Sequence, residues 1–328
     1  MKYIEKMFRS FGTILTIQIG IRDEEQLSVE EGKMVLKEIK QTIEKMDDLF
    51  STYKPDSEIS RLNQMAGKGE VAVSKETFEI LHIAKELQKQ TDGNFDISLQ
   101  ALIDLWGIGK KNDFIPQKKD IDSLLQERSE EYLILDEKRQ TAFLTNQRQK
   151  IDLGSIAKGY AVDKTIRFLK KKEVKEAIIN FGGTIYAIGN PKKIGIQNPF
   201  QKTGIYLGTL VLEDMAAVTS GFYEQYFTKN KRDYHHILNP KTGNPVDNSL
   251  ASITLIGKHA TDLDAITTAV YVLGIEAGST LLNDRKLEGI FVLKTGEVFH
   301  TKGLNKSFSL NEKDDMKQKN TTTMEVFA

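Results

Sequence analysis

Residues 132–151 read YLILDEKRQTAFLTNQRQKI, and this stretch says most about the class of fold. Apolar runs at 132–135 and 141–144 are separated by polar residues, and a third short run begins at residue 150. Runs of this length bounded by polar turns predict short strands that follow one another in hairpins. Consecutive strands with helices inserted between groups favour an α+β fold over a doubly wound α/β fold.

The flanking sequence adds helices and further strands to this hairpin. Ser28 and Glu31 have the S-x-x-E spacing of a capping box, which together with helical apolar spacing predicts a helix from about Val29. Further helices are predicted at 75–90, 156–169 and 261–273, and strands at 11–19, 177–180, 194–196, 207–212, 252–256, 290–293 and 298–300. We therefore expect mixed, largely antiparallel sheets with packed helices. They would form a single domain over residues 1–310, divisible into two subdomains, followed by a polar, disordered tail at 311–328.

Composition excludes several classes of protein. The 328 residues carry 46 basic and 46 acidic side chains, so no overall basic field favours nucleic acid. The sequence contains no run of eighteen apolar residues, so no integral membrane segment is predicted. The absence of cysteine excludes disulfides, thiolate metal sites and a cysteine nucleophile. The first residues lack an apolar signal region or lipobox, which predicts a cytoplasmic protein unless the N-terminus has been trimmed.

Three segments of small residues follow predicted strands, at 152–160, 180–184 and 217–221. The first leads into a helix, whose N-terminal backbone N–H groups bind phosphate well, and Lys158 would add positive charge. The paired glycines of the second let a ligand approach the backbone, and the hydroxyls of the third suit phosphate or ribityl contacts. Each segment has a plainer interpretation as a tight turn, with a surface lysine in the first and core aromatics after the third.

Asp264 and Thr268 lie four residues apart in a predicted helix and therefore share one face. A carboxylate and a hydroxyl so placed are hard oxygen ligands suited to Mg²⁺. The alternative is that an aspartate caps the helix while Thr268 bonds back to a carbonyl. Asp262 is closer to the start of the helix and is the better candidate for the cap.

His235 and His236 are adjacent in a predicted strand, so at most one of them points into a given site. A lone histidine is more often structural than catalytic. The turn that follows, Asn239-Pro240-Lys241-Thr242-Gly243, favours a functional role because binding residues concentrate on loops held by a rigid scaffold.

Read in order, the segments resemble the FAD:protein FMN transferase family, also called the ApbE family. The resemblance spans residues 10–300 and rests on nine pieces: FGT at 11–13, STYKPDSEISRLN at 51–63, GNFD at 93–96, LWG at 105–107, DLGSIAKGY at 152–160, NFGG at 180–183, TSG at 219–221, HILNPKTG at 236–243, and Asp264-x-x-x-Thr268. One such piece is weak evidence, whereas nine in the same order are specific.

The resemblance implies an ApbE-like (T-fold-like) α+β domain. It also implies an enzyme that cleaves FAD with Mg²⁺ and transfers FMN through a phosphoester to a threonine of an acceptor flavoprotein, releasing AMP. Asp264 and Thr268 match the family's metal-binding pair, a carbonyl near Ala157 adds a ligand, and His236 matches a histidine that assists catalysis. Flavin or phosphate contacts are implied for Gly12, Thr13, Asn63, Asp152, Lys158, Gly182, Gly183, Thr219, Ser220 and Thr242.

Three departures from the family pattern bear on this interpretation. Asn239 stands where aspartate is common and removes a charge, Phe11 replaces a methionine, and many members carry an export signal that is lacking here. Two alternatives to the transferase stay open: an Mg²⁺-dependent FAD pyrophosphatase that gives FMN and AMP, and a non-catalytic FAD-binding protein. Retention of both Asp264 and Thr268 argues against pure binding.

Overall fold

The computed structural model describes residues 2–21, 28–109, 114–128, 131–224, 226–230, 232–311 and 321–324. The chain divides into two compact units. Unit 1 comprises Met1–Glu44, Lys158–Gly221 and Asn248–Ala328, and unit 2 comprises Lys45–Ala157 and Phe222–Asp247. Each unit is described by itself below.

Seven helices and seventeen strands occur in the described residues. The helices are α1 (Val29–Phe50), α2 (Glu58–Gln64), α3 (Lys75–Gln90), α4 (Gln100–Trp106), α5 (Lys118–Gln126), α6 (Ala157–Lys171) and α7 (Ala260–Arg285). The strands are β1 (Lys2–Ser10), β2 (Thr13–Ile21), β3 (Val71–Ala72), β4 (Leu133–Asp136), β5 (Thr141–Leu144), β6 (Ala177–Phe181), β7 (Thr184–Ile188), β8 (Lys192–Gln197), β9 (Tyr206–Leu212), β10 (Met215–Gly221), β11 (Tyr226–Lys229), β12 (Arg232–His235), β13 (Leu250–Gly257), β14 (Glu288–Leu293), β15 (Val298–Thr301), β16 (Phe308–Leu310) and β17 (Thr321–Met324).

Unit 1 contains a nine-stranded sheet in the order β1-β2-β6-β7-β10-β13-β14-β15-β17. Every pair in it is antiparallel except β15 with β17. Along β2, Leu15, Ile17 and Ile19 are fully buried, as the alternation of the sequence predicted, because side chains of a strand point alternately to its two faces. A three-stranded sheet, β16-β9-β8, completes the strands of this unit.

Unit 2 combines α2 to α5 with the three-stranded sheet β3-β5-β4 and the hairpin β11–β12. Its apolar cluster is built on Leu99, Leu102, Trp106, Ile108, Ile121 and Leu238. The hairpin predicted from residues 132–151 is β4–β5, with Asp136 paired to Thr141. The third strand predicted at 150–151 was wrong, since Lys150 makes only an isolated bridge to Leu99.

The structure confirms the α+β class and most of the long elements. The capping box forms reciprocally, because the Ser28 backbone N–H donates to Glu31 Oε2 at 2.8 Å and the Glu31 N–H donates to Ser28 Oγ at 3.3 Å. α3 has the predicted bounds, and β14 and β15 form the predicted hairpin. Two local predictions were wrong. The strand expected from residue 11 begins at Thr13, and the turn expected at 217–221 lies inside β10, which ends at Gly221.

α7 is long and apolar enough to cross a membrane by length and composition, although polar residues interrupt its apolar sequence. Most of the helix is buried, and it packs against β10 and β13 of unit 1. These properties are typical of the core helix of a globular unit. Gly274, at φ 79°, interrupts the helical backbone one residue after the predicted helix end at 273.

The tail prediction lies mostly outside the described residues, which resume only at 321–324. These four residues form β17.

Candidate active site

Asp264 of α7 is a buried carboxylate in unit 1, with 4% of its surface exposed. Its Oδ2 accepts a hydrogen bond of 2.9 Å from the backbone N–H of Gly159, in the first turn of α6. Its Oδ1 lies 3.7 Å from Nζ of Lys158. Burying a charge is costly unless it is paired and hydrogen-bonded. The positive end of α6 and the Lys158 ammonium supply both kinds of compensation here.

The N-terminus of α7 is capped from α6. Asp163 accepts from the backbone N–H groups of Ala260 at 3.0 Å and Thr261 at 2.9 Å, and from the Thr261 hydroxyl at 2.6 Å. The prediction that Asp262 caps this helix was wrong, because Asp262 lies inside the first turn and Asp163 already binds the free N–H groups. Burial raises the pKa of Asp262, and the neighbouring Asp163 carboxylate adds to the rise, while His259 and Arg285 oppose it.

Thr268 lies one turn after Asp264 and is partly buried, as the i, i+4 spacing predicted. Its hydroxyl donates to the backbone carbonyl of Asp264 at 3.3 Å, which is the back-bonded arrangement weighed for it above. A hydroxyl that donates in this way keeps its acceptor lone pairs. The back bond is therefore compatible with a metal-ligand role.

The chemistry of the predicted donor set fits Mg²⁺. Asp264 supplies a carboxylate, Thr268 a hydroxyl and Ala157 a backbone carbonyl, all hard oxygen donors. Within the described ranges, no group of three or more histidine, cysteine, aspartate or glutamate side chains is arranged to hold a metal. Mg²⁺ does not need such a group, since it commonly binds one or two carboxylates and completes its shell with water and substrate phosphate.

One end of the nine-stranded sheet gathers the glycine and hydroxyl residues predicted to contact FAD in unit 1. Gly12 lies in the β1–β2 turn, Gly182 and Gly183 form the β6–β7 turn, and β10 ends beside them with the Thr219 N–H donating to the Gly183 carbonyl at 3.3 Å. A Cβ on Gly182 would lie 2.6 Å from Cγ2 of Thr13, so the two turns are in close contact. Gly183 has φ 90° and open space where a Cβ would stand.

Hydroxyl groups line the same end of the sheet. The Thr219 and Thr254 hydroxyls share a hydrogen bond of 2.8 Å across β10 and β13, and Ser220 follows Thr219 with its side chain partly buried. Ser10 Oγ and Thr184 Oγ1 are buried and have no hydrogen-bond partner in the described part of the chain. Buried polar groups without a partner are rare and call for an explanation such as a bound ligand. This end of the sheet is thus suited to a ligand rich in polar oxygen or nitrogen atoms.

In unit 2, the segment that precedes α6 is held by two of the predicted residues. Asn63 binds the backbone of Ile151 from both ends of its amide, with Oδ1 accepting at 2.8 Å and Nδ2 donating at 2.9 Å. Asp152 Oδ1 accepts from the Gly154 N–H at 2.7 Å and Oδ2 from the Thr52 hydroxyl at 3.3 Å. Both side chains therefore shape the loop itself, and the conformation of DLGS at 152–155 depends on them.

The histidine pair of unit 2 divides as the strand periodicity predicted. His235, the last residue of β12, is 1% exposed, whereas His236 follows the strand and is only partly buried. Of the two, His236 has the accessibility that a catalytic side chain needs. His235 belongs to the interior of its unit.

The turn after His236 is stabilised by the asparagine that departs from the family pattern. Asn239 Oδ1 accepts from the backbone N–H of Lys241 at 2.8 Å and of Thr242 at 3.3 Å. An amide oxygen performs this turn-forming role as a carboxylate does, so the missing charge leaves the turn intact. Thr242 is exposed at its tip, and the Thr242 hydroxyl accepts from the Asn244 N–H at 3.4 Å.

Two side chains that no sequence argument identified for this role anchor the same turn. Trp106 donates from Nε1 to the Gly243 carbonyl at 2.8 Å. Arg128 donates to the Pro240 carbonyl and forms an ion pair with the buried Asp96. Asp96 belongs to the GNFD motif, but Arg128 lies outside every motif and 32 residues from its partner. Nothing in the local pattern around Arg128 could have predicted that contact.

The fold defines the class as an α+β protein with a largely antiparallel nine-stranded sheet, and Asp264 of α7 is a buried carboxylate bonded to the first turn of α6. The sequence profile described as the ApbE family matches residues 11–291, so the chain belongs to the ApbE family.

Relatives and solved structures agree with this assignment. A protein of Klebsiella pneumoniae named FAD:protein FMN transferase is 34% identical over 259 residues, covering 79% of this chain and 82% of the relative. A protein of the same name from Escherichia coli K12 is 28% identical over 279 residues, covering 82% and 80%. The crystal structure of the ApbE protein of Thermotoga maritima superposes with a TM-score of 0.80 at 25% identity and covers 97% of this chain and 100% of its own. The flavin transferase ApbE of Vibrio cholerae gives 0.78 at 26% identity, covering 94% and 96%.

Proposed function

We propose that this protein is an Mg²⁺-dependent FAD:protein FMN transferase that attaches FMN to a threonine of an acceptor flavoprotein. Relatives named FAD:protein FMN transferase align with this chain over most of their own length. The observation that carries the proposal is Asp264, a buried carboxylate with one oxygen held by the N-terminus of α6. A buried carboxylate held in place by fixed donors needs little reorganisation to bind a cation.

The reaction breaks the phosphoanhydride bond of FAD and forms a phosphoester bond to the acceptor. The acceptor threonine oxygen bonds to the phosphorus of the FMN half of FAD, and the bond from that phosphorus to the bridging oxygen breaks. AMP leaves with the bridging oxygen. The threonine hydroxyl loses its proton. We assign His236 to take or orient that proton, because His236 directly follows β12 and its side chain is only partly buried.

We assign the metal to Asp264, Thr268 and the Ala157 carbonyl. Bound Mg²⁺ would supply Lewis-acid stabilisation of the charge that develops on the pyrophosphate. Lys158 adds positive charge beside Asp264, and the backbone N–H groups at the start of α6 favour phosphate oxygens. These groups act mainly by position and electrostatics, which supply most of the rate enhancement in phosphoryl transfer.

We assign contacts with FAD to two groups of residues. In unit 1 they are Gly12, Thr13, Gly182, Gly183, Thr219 and Ser220, at one end of the sheet. In unit 2 they are Asn63 and Asp152, acting through the loop they shape, and Thr242 at the exposed turn. The cytoplasmic location stays a prediction, which cell fractionation with an antibody to this chain would check.

The decisive experiment compares covalently flavinylated proteins in cells that have or lack this gene. Protein-bound flavin fluorescence in denaturing gels should disappear from the deletion strain. Mass spectrometry of the lost bands should place FMN on a threonine, and wild-type protein should restore them. Asp264→Asn keeps an acceptor for the Gly159 N–H but removes the charge, so it should fold normally and fail to restore them. Unchanged flavinylation in the deletion strain would refute the function, and full activity of Asp264→Asn would refute the metal assignment.

The hydrolytic alternative has its own test. Purified protein with FAD and Mg²⁺, without an acceptor, should release AMP slowly if it is a transferase. Rapid, multiple-turnover AMP release would identify a pyrophosphatase. His236→Ala should slow transfer, and an unchanged rate in that variant would remove the histidine from the mechanism.

A further inference from the structure

The N-termini of α6 and α7 meet at a glycine. A Cβ on Gly159 would lie 2.2 Å from the carbonyl oxygen of Ala260 and 2.8 Å from Cβ of Asp264. Real Cβ atoms do not come so close to a backbone oxygen, so only glycine permits this separation of the two helices. The approach is what lets the Gly159 N–H reach the Asp264 carboxylate.

Each helix donates one or two N–H groups of its first turn to a carboxylate of the other. Asp264 of α7 accepts from Gly159 of α6, and Asp163 of α6 accepts from Ala260 and Thr261 of α7. The spacing is four residues on both helices, so each carboxylate lies one turn after the residue that contacts the other helix. The reciprocal bonds hold the two first turns in one register.

We propose that Asp163 is a positioning residue that holds the Asp264 carboxylate in place for its cation, an inference that rests on the proposed function. Asp163 makes three hydrogen bonds to residues 260 and 261, one turn before Asp264. If they were lost, the first turn of α7 could shift relative to α6. The contact between Asp264 Oδ2 and the Gly159 N–H would shift with it.

The cation makes such a shift matter. Mg²⁺ requires near-ideal octahedral geometry, so a ligand displaced by a fraction of an ångström binds it less well. Residues that orient metal ligands typically change affinity or activity by about 10- to 100-fold when they are replaced. Asp163 differs from such residues only in acting through the backbone of the ligand's own helix.

The test measures metal binding directly, with Mn²⁺ as the probe. Mn²⁺ is titrated into each protein with FAD present and no acceptor, and free Mn²⁺ is followed by electron paramagnetic resonance against an FAD-only blank. We expect Asp163→Ala to raise the apparent dissociation constant for Mn²⁺ by about 10- to 100-fold. Asp163→Asn keeps one acceptor oxygen and should show a smaller increase. AMP release should need correspondingly more Mg²⁺, with kcat approaching the wild-type value at saturating Mg²⁺.

Ser74→Ala is the matched control for loss of a helix cap. Ser74 caps α3 in unit 2 by accepting from the Thr77 N–H, and the proposed function assigns it no role. The Ser74→Ala control should lower Tm by a few degrees and leave the apparent dissociation constant for Mn²⁺ unchanged. If Asp163→Ala and Asp163→Asn lower Tm in the same way with an unchanged Mn²⁺ constant, Asp163 is only a cap and the proposal fails.

Asp264→Asn separates this failure from failure of the proposed function. When wild-type protein binds Mn²⁺ and Asp264→Asn does not, the metal assignment holds and the Asp163 variants decide the positioning role alone. When Asp264→Asn binds Mn²⁺ like the wild type, the metal assignment and the positioning role both fall. If Asp163→Ala does not fold, Asp163→Asn carries the comparison, since it keeps the size of the side chain.

Discussion

Gly159→Ala adds a single methyl group where α6 and α7 approach most closely. In an isolated helix this change would be favourable by about 1 kcal/mol, because alanine has the higher helix propensity. In this protein the added carbon would lie 2.2 Å from the Ala260 carbonyl oxygen and 2.8 Å from Cβ of Asp264. Both atoms belong to α7 near its first turn, so they cannot move aside as the end of a flexible side chain would.

Two costs oppose the gain in helix propensity. Forcing an extra carbon into a packed contact costs about 1–3 kcal/mol. Separating the helices also weakens the 2.9 Å hydrogen bond from the Gly159 N–H to the buried Asp264 carboxylate, a charged bond of about 1.5–3 kcal/mol. We therefore expect a net loss of about 2–4 kcal/mol in the free energy of unfolding, which for a chain of this length lowers Tm by roughly 3–6 °C.

Calorimetry of the protein without ligand measures the loss, and Mn²⁺ titration measures its effect on the site. Gly69→Ala is the control, because its added carbon would meet only Cε of Met65, at 3.6 Å, and its φ is not in the left-handed region. That variant should change stability by less than about 0.5 kcal/mol. If Gly159→Ala had the same Tm as Gly69→Ala and bound Mn²⁺ with the wild-type affinity, the close approach of the two helices and the reasoning built on it would be wrong.

Two further predictions test buried polar groups. Thr184→Val removes a hydroxyl that has no partner among the described residues, so the ligand-free protein should be as stable as the wild type or slightly more stable. FAD binding, measured by flavin fluorescence, should weaken about two- to tenfold. A lower Tm with unchanged FAD affinity would contradict this prediction. Glu176 is buried, which raises its pKa, but the ion pair and hydrogen bond with Lys192 outweigh burial and hold the pKa below its ordinary value. A lowered carboxyl pKa stabilises the fold above the unfolded-state pKa, and this stability is lost as pH falls through the folded-state pKa. The Tm difference between wild type and Glu176→Gln should therefore be largest near neutral pH and shrink below about pH 4, and a difference that is constant with pH would exclude the ion pair as its source.

Local chemistry made much of the fold predictable. The Ser28–Glu31 capping box depends on residues three apart, and it forms as expected. The helical spacing over residues 75–90 gave the bounds of α3, and the alternation in β2 identified its buried face. Such patterns are readable because the partners lie within one or two turns, or one strand, of each other.

The wrong predictions concern positions whose local structure depends on a partner that is distant in the sequence. Asp262 has the sequence position of a cap, but Asp163, almost one hundred residues away, takes that role. Residues 217–221 have the composition of a turn, yet pairing with β13 extends β10 through them. A short apolar run such as 150–151 forms a β-strand only when a partner strand lies beside it. The local sequence does not show whether such a partner is present.

The sequence by itself determined that Asp264 and Thr268 share a helix face and that both are oxygen donors suited to Mg²⁺, because helical periodicity and side-chain chemistry are local properties. Only the tertiary structure decided what the carboxylate contacts. Its charge is compensated by the N–H of Gly159 and the ammonium of Lys158, and its helix is capped by Asp163. These partners lie about one hundred residues earlier in the chain, and their contacts depend on the packing of α6 against α7, which no local pattern records.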